Sequence, residues 1–253
     1  MNIKELYCKF DERFPREKSC EWDNDGLMCS PDTSREVKRA LLTLDVTDGA
    51  LEYAKENGCD LIVSHHPFVF RALSSVTPDN YVAKKVISAL TSGISVFSFH
   101  TRADCAEGGV NDILASQLGL CDTTPFGEGG MGRVGTLKSA MPLSDFAERV
   151  KNALGCDAVS YAGEGEVRRV AVLGGDGKDF IPDAIQTGAD TFVSGSISYN
   201  AFLDAPEMGI NIVEGGHFHT ENGILSAFEE IVREHCPEAE ILKYDSLCIK
   251  VLA

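Results

Sequence analysis

Five of the six histidines in this 253-residue chain fall in three short segments that also carry acidic residues. The segments are SHHP with His65 and His66, HTRAD from His100 to Asp104, and GHFHTE with His217, His219 and Glu221. Imidazole and carboxylate groups without thiolate suit zinc, iron, manganese, cobalt or nickel, whereas copper(I) prefers sulfur ligands. The three segments therefore predict a site for divalent transition-metal ions.

The number of candidate ligands favours two ions per chain. A single catalytic zinc usually takes three protein ligands and keeps one position open. Here the candidates are His65, His66, Asp104, His217 and Glu221. His65 and His66 are adjacent, and the following proline favours extended backbone, in which consecutive side chains point to opposite sides. One ion is then expected to reach both histidines only with difficulty, so we expect two ions with a carboxylate between them.

Three further residues are candidates for proton transfer. They are His100, His219 and Asp45. His100 either binds a metal ion or, as the favoured interpretation, orients Asp104. For His219 the edge of the metal site, a substrate contact and no role at all stay open. Asp45 forms either an Asx turn or a contact that orients a metal ligand.

An internal duplication indicates how these residues are positioned. Segment 39–64 aligns without a gap on segment 169–194, and both read as strand, turn, helix, G-x-D and strand. The apolar runs at 40–44, 61–63, 170–173 and 191–193 are typical of buried strands, and strand–helix–strand predicts a parallel crossover. Thr47 or Asp48 and Asp179 are candidate helix caps. The alternative is a coincidence between ordinary α/β segments.

The predicted fold is α/β, with two similar domains at residues 1–125 and 130–253 that arose by this duplication. The glycine-rich segment FGEGGMGRVG joins them. Each histidine segment follows a predicted strand, and ligands of α/β sheets bind at the carboxyl ends of strands. We therefore expect the metal site between the two domains.

Composition excludes several classes of function. An apolar fraction of 43% and a charged fraction of 25% are typical of globular proteins, and we expect neither a membrane span nor a secretory signal. The net charge of −16 disfavours a nucleic-acid partner. Nine scattered cysteines without a C-x-x-C pair indicate reduced thiols, which agrees with an expected location in the cytoplasm. The expected partner is a small-molecule substrate.

Two glycine-containing loops have open roles. The segment from Glu21 to Gly26 holds the only tryptophan, Trp22, and forms either a packed turn or, as the less favoured interpretation, the wall of a pocket. Gly174–Gly177 follows a predicted strand. It either approaches an anion or simply makes a tight strand-to-helix turn.

The combination of motifs resembles the NGG-interacting-factor-like family, whose members are dinuclear metal-centre hexameric proteins often described as GTP cyclohydrolase I type 2 homologs. HHP, HTRAD followed by GGVND, and GHFHTE carry the resemblance, with support from WDNDGLM and TFVSGSISYN. The resemblance implies that His66 and Asp104 hold one ion, that His65 and His217 hold the other, and that Glu221 bridges them. It also implies a toroidal homohexamer.

This chain departs from the resemblance at Ser196 and Asn200, where relatives often carry an acidic residue and a histidine, and at His219. These departures leave the metal ligands intact but put a shared substrate contact in doubt. Two hypotheses of function follow. One is a metal-dependent hydrolase that acts on a nucleotide-like or other small anionic substrate. The other is a non-enzymatic metal-handling or regulatory assembly.

Overall fold

Short apolar runs and capped amphipathic segments alternate along most of the chain. The computed structural model describes residues 1–250, which form ten α-helices and eleven β-strands. The helices are α1 Ile3–Arg13, α2 Asp48–Glu56, α3 Tyr81–Thr91, α4 Thr101–Cys105, α5 Val110–Gln117, α6 Leu143–Leu154, α7 Ile181–Gln186, α8 Tyr199–Glu207, α9 His217–Glu221 and α10 Ile224–His235. The strands are β1 Gly26–Cys29, β2 Arg39–Thr43, β3 Leu61–Ser64, β4 Ser95–Ser98, β5 Cys121–Phe126, β6 Gly132–Pro142, β7 Ser160–Ala162, β8 Glu166–Asp176, β9 Thr191–Ser196, β10 Asn211–Glu214 and β11 Glu240–Lys243.

These elements form two compact units. The first unit joins Met1–Ala106 with Ile224–Cys248, and the second unit holds Glu107–Gly223 with the described residues after Cys248. The division differs from the predicted continuous domains, 1–125 and 130–253. The physical reason is that β11 pairs in parallel with β2, and α10 packs against α1, so the segment after Gly223 completes the first unit.

The first unit contains a five-stranded sheet in the order β1-β4-β3-β2-β11. Strands β11, β2, β3 and β4 run parallel, and β1 pairs antiparallel at the edge. All four residues of β3 and of β4 are buried, as expected for parallel strands covered on both faces. A ring cluster of Phe10, Phe14, Phe97, Phe99 and Phe228 fills one side of this sheet.

The second unit contains a six-stranded sheet in the order β5-β6-β8-β9-β10-β7. Strands β8, β9 and β10 run parallel, whereas β5, β6 and β7 add antiparallel strands at the two edges. The second sheet is therefore mixed. Its parallel part repeats the arrangement of the first sheet.

The duplicated G-x-D motif has the same structural role in both units. Asp60 Oδ2 accepts hydrogen bonds from the backbone amides of Lys38 (2.8 Å) and Arg39 (3.0 Å). Asp190 Oδ2 accepts from Arg168 (2.9 Å) and Arg169 (2.7 Å). Each carboxylate thereby joins the start of one parallel strand to the start of its neighbour, and this explains the repeated aspartate.

The ends of the repeated helices were only partly predicted. Thr47 caps α2, since its side chain accepts a hydrogen bond from the Ala50 amide (3.1 Å). The prediction that Asp179 caps the second helix was wrong. Residues Lys178–Phe180 form a single 3₁₀ turn that leads directly into α7, so the helix begins later and without a side-chain cap. In residues 1–250 no helix is both long enough and apolar enough to span a membrane.

Candidate metal centre

His65 and His66 directly follow β3, where the chain bends instead of continuing the strand. Ser64 Oγ donates a hydrogen bond to the His66 carbonyl (2.9 Å), and His66 N donates to the Leu44 carbonyl (3.0 Å). The two ring centroids are 5.0 Å apart. The expectation that the imidazoles point to opposite sides was therefore wrong, because it assumed extended backbone that this bend replaces.

Each of these two histidines is held through its Nδ1 atom. His65 is fully buried, and its Nδ1 donates to the Phe99 carbonyl (2.9 Å). His66 Nδ1 lies 2.7 Å from Asp45 Oδ1, and Ser246 Oγ donates to the other Asp45 oxygen (3.0 Å). A hydrogen bond at Nδ1 fixes the ring and leaves Nε2 as the metal-ligating atom. Asp45 is thus placed to orient His66.

His100 follows β4 and lies in the same cluster. Its ring centroid is 5.2 Å from that of His65 and 5.7 Å from that of His66. One ligand atom from each of the three histidines lies within 4.8 Å of the others. We call His65, His66 and His100 the histidine cluster. His100 Nδ1 lies 3.0 Å from Asp23 Oδ1, so this ring is held in the same manner as the other two.

Asp23 was missed as a site residue, although its loop was noted. Its Oδ2 accepts hydrogen bonds from Thr101 N (3.0 Å) and Thr101 Oγ1 (2.6 Å), while Oδ1 faces His100. It therefore fixes the beginning of α4, which carries Asp104. Asp104 Oδ1 lies 3.6 Å from His65 Nε2, which puts this carboxylate beside the cluster. The separation of 77 positions between Asp23 and His100 explains why spacing alone did not indicate the contact.

The Asp23 carboxyl and the His100 ring each shift the pKa of the other. Burial raises the pKa of the Asp23 carboxyl, but hydrogen bonds and charge from His100, with hydrogen bonds from Thr101, lower it to about 2. Burial lowers the pKa of His100, but the hydrogen bond to Asp23 and the charges of Asp104 and Asp23 raise it above its ordinary value. Asp23 therefore stays ionised and accepts from His100 at neutral pH.

A buried arginine supports the same short helix from its other side. Arg102 is fully buried, and its Nη1 donates to Asp11 Oδ1 (2.6 Å) and to the Phe14 carbonyl (3.0 Å). Its Nη2 lies 3.1 Å from Asp25 Oδ1. Asp25 Oδ2 also accepts from His100 N (3.3 Å). The HTRAD motif therefore combines residues that face the cluster with one that anchors the helix.

In the second unit, His217 and Glu221 form a pair on α9. His217 Nε2 lies 3.1 Å from Glu221 Oε2, because residues four positions apart are neighbours on a helix face. His217 Nδ1 lies 3.4 Å from Ser196 Oγ. The Glu221 side chain is buried, whereas His217 is partly exposed. Ser196 therefore orients this histidine, a role that sequence reasoning did not assign.

Glycines of the second sheet make room for this pair. Gly175 has a φ of +70°, and a Cβ there would collide with Glu221 Oε1 and lie 3.3 Å from His217 Nε2. A Cβ on Gly195 would lie 2.7 Å from the Cα of His217. Gly175, which lies inside β8, thus permits close approach of the strand backbone to a carboxylate and an imidazole. The second glycine of GGDG was the available signal for it.

His219 occupies a different face of α9. It lies two positions after His217, and side chains two positions apart on a helix do not face each other. Its ring is 5.5 Å from that of Phe218. Asn200 is exposed near the start of α8. The role of His219 stays a prediction.

Within each unit the donor set fits a divalent transition metal. The first unit offers three imidazoles and the Asp104 carboxylate, and the second offers an imidazole and the Glu221 carboxylate. No thiolate takes part in the metal-ligating groups found among residues 1–250. Nitrogen and oxygen ligands of this kind suit zinc, iron, manganese, cobalt or nickel. These histidine and carboxylate groups could therefore hold a metal ion.

Comparisons with known proteins agree with this description. The family model described as Duf34/NIF3 (NGG1p interacting factor 3) matches residues 1–248. A protein of Clostridium perfringens named GTP cyclohydrolase 1 type 2 homolog is 37% identical over 221 residues, which cover 84% of each chain. A relative of the same name from Lactococcus lactis is 32% identical and covers 86% of each chain.

Solved structures share the fold over nearly the whole chain. A Bacillus cereus protein related to NIF3 has a TM-score of 0.88 at 24% identity and covers 100% of this chain and 99% of its own. Reduced HcgD from Methanocaldococcus jannaschii has a TM-score of 0.85 at 27% identity, with coverage of 96% and 97%. From the family match over residues 1–248 and these relatives, we conclude that the chain belongs to the Duf34/NIF3 family.

Proposed function

We propose that this chain is a metal-dependent hydrolase that acts on a nucleotide-like or other small anionic substrate. In this proposal His65, His66, Asp104, His217 and Glu221 hold two divalent transition-metal ions. The observation that carries it is the histidine cluster. Three imidazoles lie together, and each is held through Nδ1 by an oxygen acceptor, so that Nε2 is the nitrogen left to bind a metal ion or, in His100, to carry a proton.

The division of labour among the ligands comes from the family resemblance. By that resemblance His66 and Asp104 would hold one ion, His65 and His217 would hold the other, and Glu221 would serve both. Ions bound in this way would act as Lewis acids and lower the pKa of water toward neutrality. They would also offset the net charge of −16 locally and allow an anionic substrate to approach.

The surrounding residues hold ligands and move protons. Asp45 and Ser196 keep the rings of His66 and His217 in place. His100, fixed at Nδ1 by the Asp23 carboxylate, can accept or deliver a proton at Nε2. Its neighbours in the cluster also make it a candidate for a third nitrogen ligand. Homologs named after GTP cyclohydrolase support a nucleotide as the first substrate to test.

Metal analysis tests the binding half of the proposal. Purified full-length protein is analysed by mass spectrometry for bound metals, with variants His66→Ala and Glu221→Gln and the control His235→Ala. His235 lies at the end of α10, outside the cluster. We expect two ions per chain in the wild type and the control, and fewer in the two ligand variants. Unchanged metal content in both ligand variants would contradict the proposed ligand set.

Turnover tests the catalytic half. Metal-loaded protein is incubated with a panel that includes GTP, other nucleotides and simple phosphoesters, and products are separated by chromatography. We expect hydrolysis that is lost in Glu221→Gln and retained in His235→Ala. If the protein binds two ions, turns over nothing and releases the ions readily to a chelator, the metal-handling hypothesis replaces the hydrolase.

The assembly and location are further parts of the proposal. By family resemblance we propose a toroidal homohexamer in the cytoplasm. Light scattering coupled to size-exclusion chromatography measures the molar mass in solution. A mass close to that of one 27.3 kDa chain would contradict the hexamer.

A further inference from the structure

Two large aromatic side chains lie exposed beside the histidine cluster in the first unit. Trp22 is 63% exposed and Phe70 is 44% exposed. A turn that is merely packed would bury its tryptophan, since removing such a large side chain from water is strongly favourable. Exposed aromatic surface next to a polar site is instead typical of a place where a ligand binds.

The rings of Trp22, Phe70 and His100 lie close together with their planes steeply crossed. The ring centroids are 6.1 Å apart for Trp22 and Phe70, 6.2 Å for Trp22 and His100, and 6.3 Å for Phe70 and His100. The ring planes cross at 67°, 74° and 89°. We call these three residues the aromatic corner. A flat ring that stacks on one wall meets the other two edge to face, and both arrangements are favourable.

Hydrogen bonds keep the walls of this corner in place. The Asn24 side-chain amide donates to the Val69 carbonyl, which joins the loop of Trp22 to the loop of Phe70. Asp23, the neighbour of Trp22, holds the His100 ring. The corner is therefore formed before a ligand arrives, which reduces the entropy lost on binding.

The third wall distinguishes a heterocycle from a purely apolar ligand. His100 is hydrogen-bonded to a buried carboxylate, and the rings of His65 and His66 lie 5.2 and 5.7 Å from it. A hydrocarbon chain would meet these polar groups without satisfying them. A flat heterocycle can stack on the aromatic walls and direct ring nitrogens or exocyclic groups toward the imidazoles.

We propose that the aromatic corner binds the planar heterocycle of the substrate, of the purine class, and directs its polar edge toward the histidine cluster. This assignment deepens the proposed function and rests on it, because the cluster is where the reaction would occur. It takes the pocket-wall interpretation of the Trp22 loop.

Trp22 is the only tryptophan, so its fluorescence reports on the corner directly. Metal-loaded full-length protein is titrated with GMP and, in parallel, with ribose 5-phosphate, which has the same sugar and phosphate without the ring. We expect GMP to quench the emission and ribose 5-phosphate to leave it unchanged. Equal responses to the two ligands, or none to either, would overturn the proposal.

Calorimetry with GMP measures the contribution of each wall. Trp22→Leu and Phe70→Leu are expected to weaken GMP binding by about tenfold each, the effect typical of losing one stacking contact. The control is Tyr81→Leu, which removes a 76% exposed ring that contacts Lys85 in the same unit. Because Trp22 and Phe70 are exposed, we expect both variants to fold, and circular dichroism verifies this. Dissociation constants equal to the wild type in both variants would refute the corner.

Two outcomes separate this inference from the proposed function. Quenching by GMP without any hydrolysis would support the corner while the hydrolase fails. Hydrolysis with a KM for GTP that is unchanged in Trp22→Leu would support the hydrolase and contradict the aromatic corner.

Iodide quenching of the Trp22 fluorescence adds a further check. If iodide fails to reach Trp22 in the assembled protein, another copy of the chain covers this surface and the proposal is wrong.

Discussion

At the scale of single residues, the oxygen acceptors behind the histidines control how the rings are presented. Asp45 is one of these acceptors, and its carboxylate is hydrogen-bonded to His66 through one oxygen and to Ser246 through the other. A carboxylate on Nδ1 fixes the tautomer and makes Nε2 a stronger ligand. Its removal should therefore act on metal binding without removing a ligand.

The first prediction concerns this carboxylate. Asp45→Asn keeps the size of the side chain but removes its charge, and we expect metal affinity to fall by about 10–100-fold. Competition with a fluorescent chelator measures the affinity. Asp48→Asn, which changes an exposed carboxylate in the first turn of α2, is the matched control and should bind as the wild type does. Equal affinity in the two variants would show that Asp45 does not tune the site.

The second prediction concerns the cysteines. Burial raises the pKa of the Cys59 and Cys156 thiols to about 11, so both stay protonated at pH 8, and only the thiolate is reactive. Cys8 and Cys248 are exposed. Brief alkylation with iodoacetamide at pH 8, followed by peptide mass spectrometry, should label the exposed pair first. Labelling of Cys156 as fast as Cys8 in the folded protein would contradict this order.

The sequence was sufficient to group the histidines because chemistry and position coincided. His65 and His100 each come shortly after a strand of the first sheet, and the carboxyl ends of parallel strands meet at one edge of a sheet. Asp23 and Ser196 could not be identified in this way. Their contacts join segments far apart in the chain, and short polar side chains in loops are common without such a role.

At the scale of secondary-structure elements, the duplicated strand–helix–strand unit depends on its aspartate. Asp60 and Asp190 each accept hydrogen bonds from two backbone amides at the neighbouring strand. Hydrogen bonds to a charged group contribute more than neutral ones. Asp60 is buried and also pairs with Arg35 (2.7 Å), which distinguishes the two copies.

The third prediction follows from this pair. We expect Asp60→Ala and Asp190→Ala each to lower the free energy of unfolding by about 2–4 kcal/mol, because two backbone amides lose a charged acceptor. The loss should be larger for Asp60, whose side chain is more buried. Urea denaturation measures it, with the exposed Asp157→Ala as the control. A loss no greater than that of the control would show that the repeated aspartate is not a structural element.

Elements with strong periodicity were predicted well. The four repeated strands were placed to within a few residues. The helix cap at Asp179 failed because a 3₁₀ turn competes with capping at Lys178–Phe180. The prediction of extended backbone at His65 and His66 failed for a related reason, because the chain bends there. The bend depends on hydrogen bonds from Ser64 and His66 that no local pattern reveals.

At the scale of the whole molecule, the first unit is assembled from both ends of the described chain. Phe228 of α10 is fully buried, and its ring lies 5.8 Å from that of Phe10 and 5.9 Å from that of Phe14. The sequence did not reveal this arrangement. Amphipathic helices show which face is buried, but not which sheet they cover.

The fourth prediction tests that packing. Phe228→Ala should destabilise the protein by about 3–5 kcal/mol, the usual effect of emptying a large aromatic site in a core. The control is Glu230→Ala, an exposed position on the same helix. Hydrogen exchange followed by mass spectrometry should show faster exchange in β2 and β4 of the variant than in β8 and β9. Faster exchange confined to β8 and β9 would contradict the assignment of α10 to the first unit.

The strand order of the first sheet also has a consequence for biosynthesis. Strand β11, at residues Glu240–Lys243, pairs with β2, which is made about two hundred residues earlier. All strands of the second unit lie between Glu107 and Gly223, so they have been synthesised before β11, the second neighbour of β2 beside β3, exists. The edge of β2 that β11 covers therefore stays open to other chains until Glu240–Lys243 has been synthesised, which is after every strand of the second sheet.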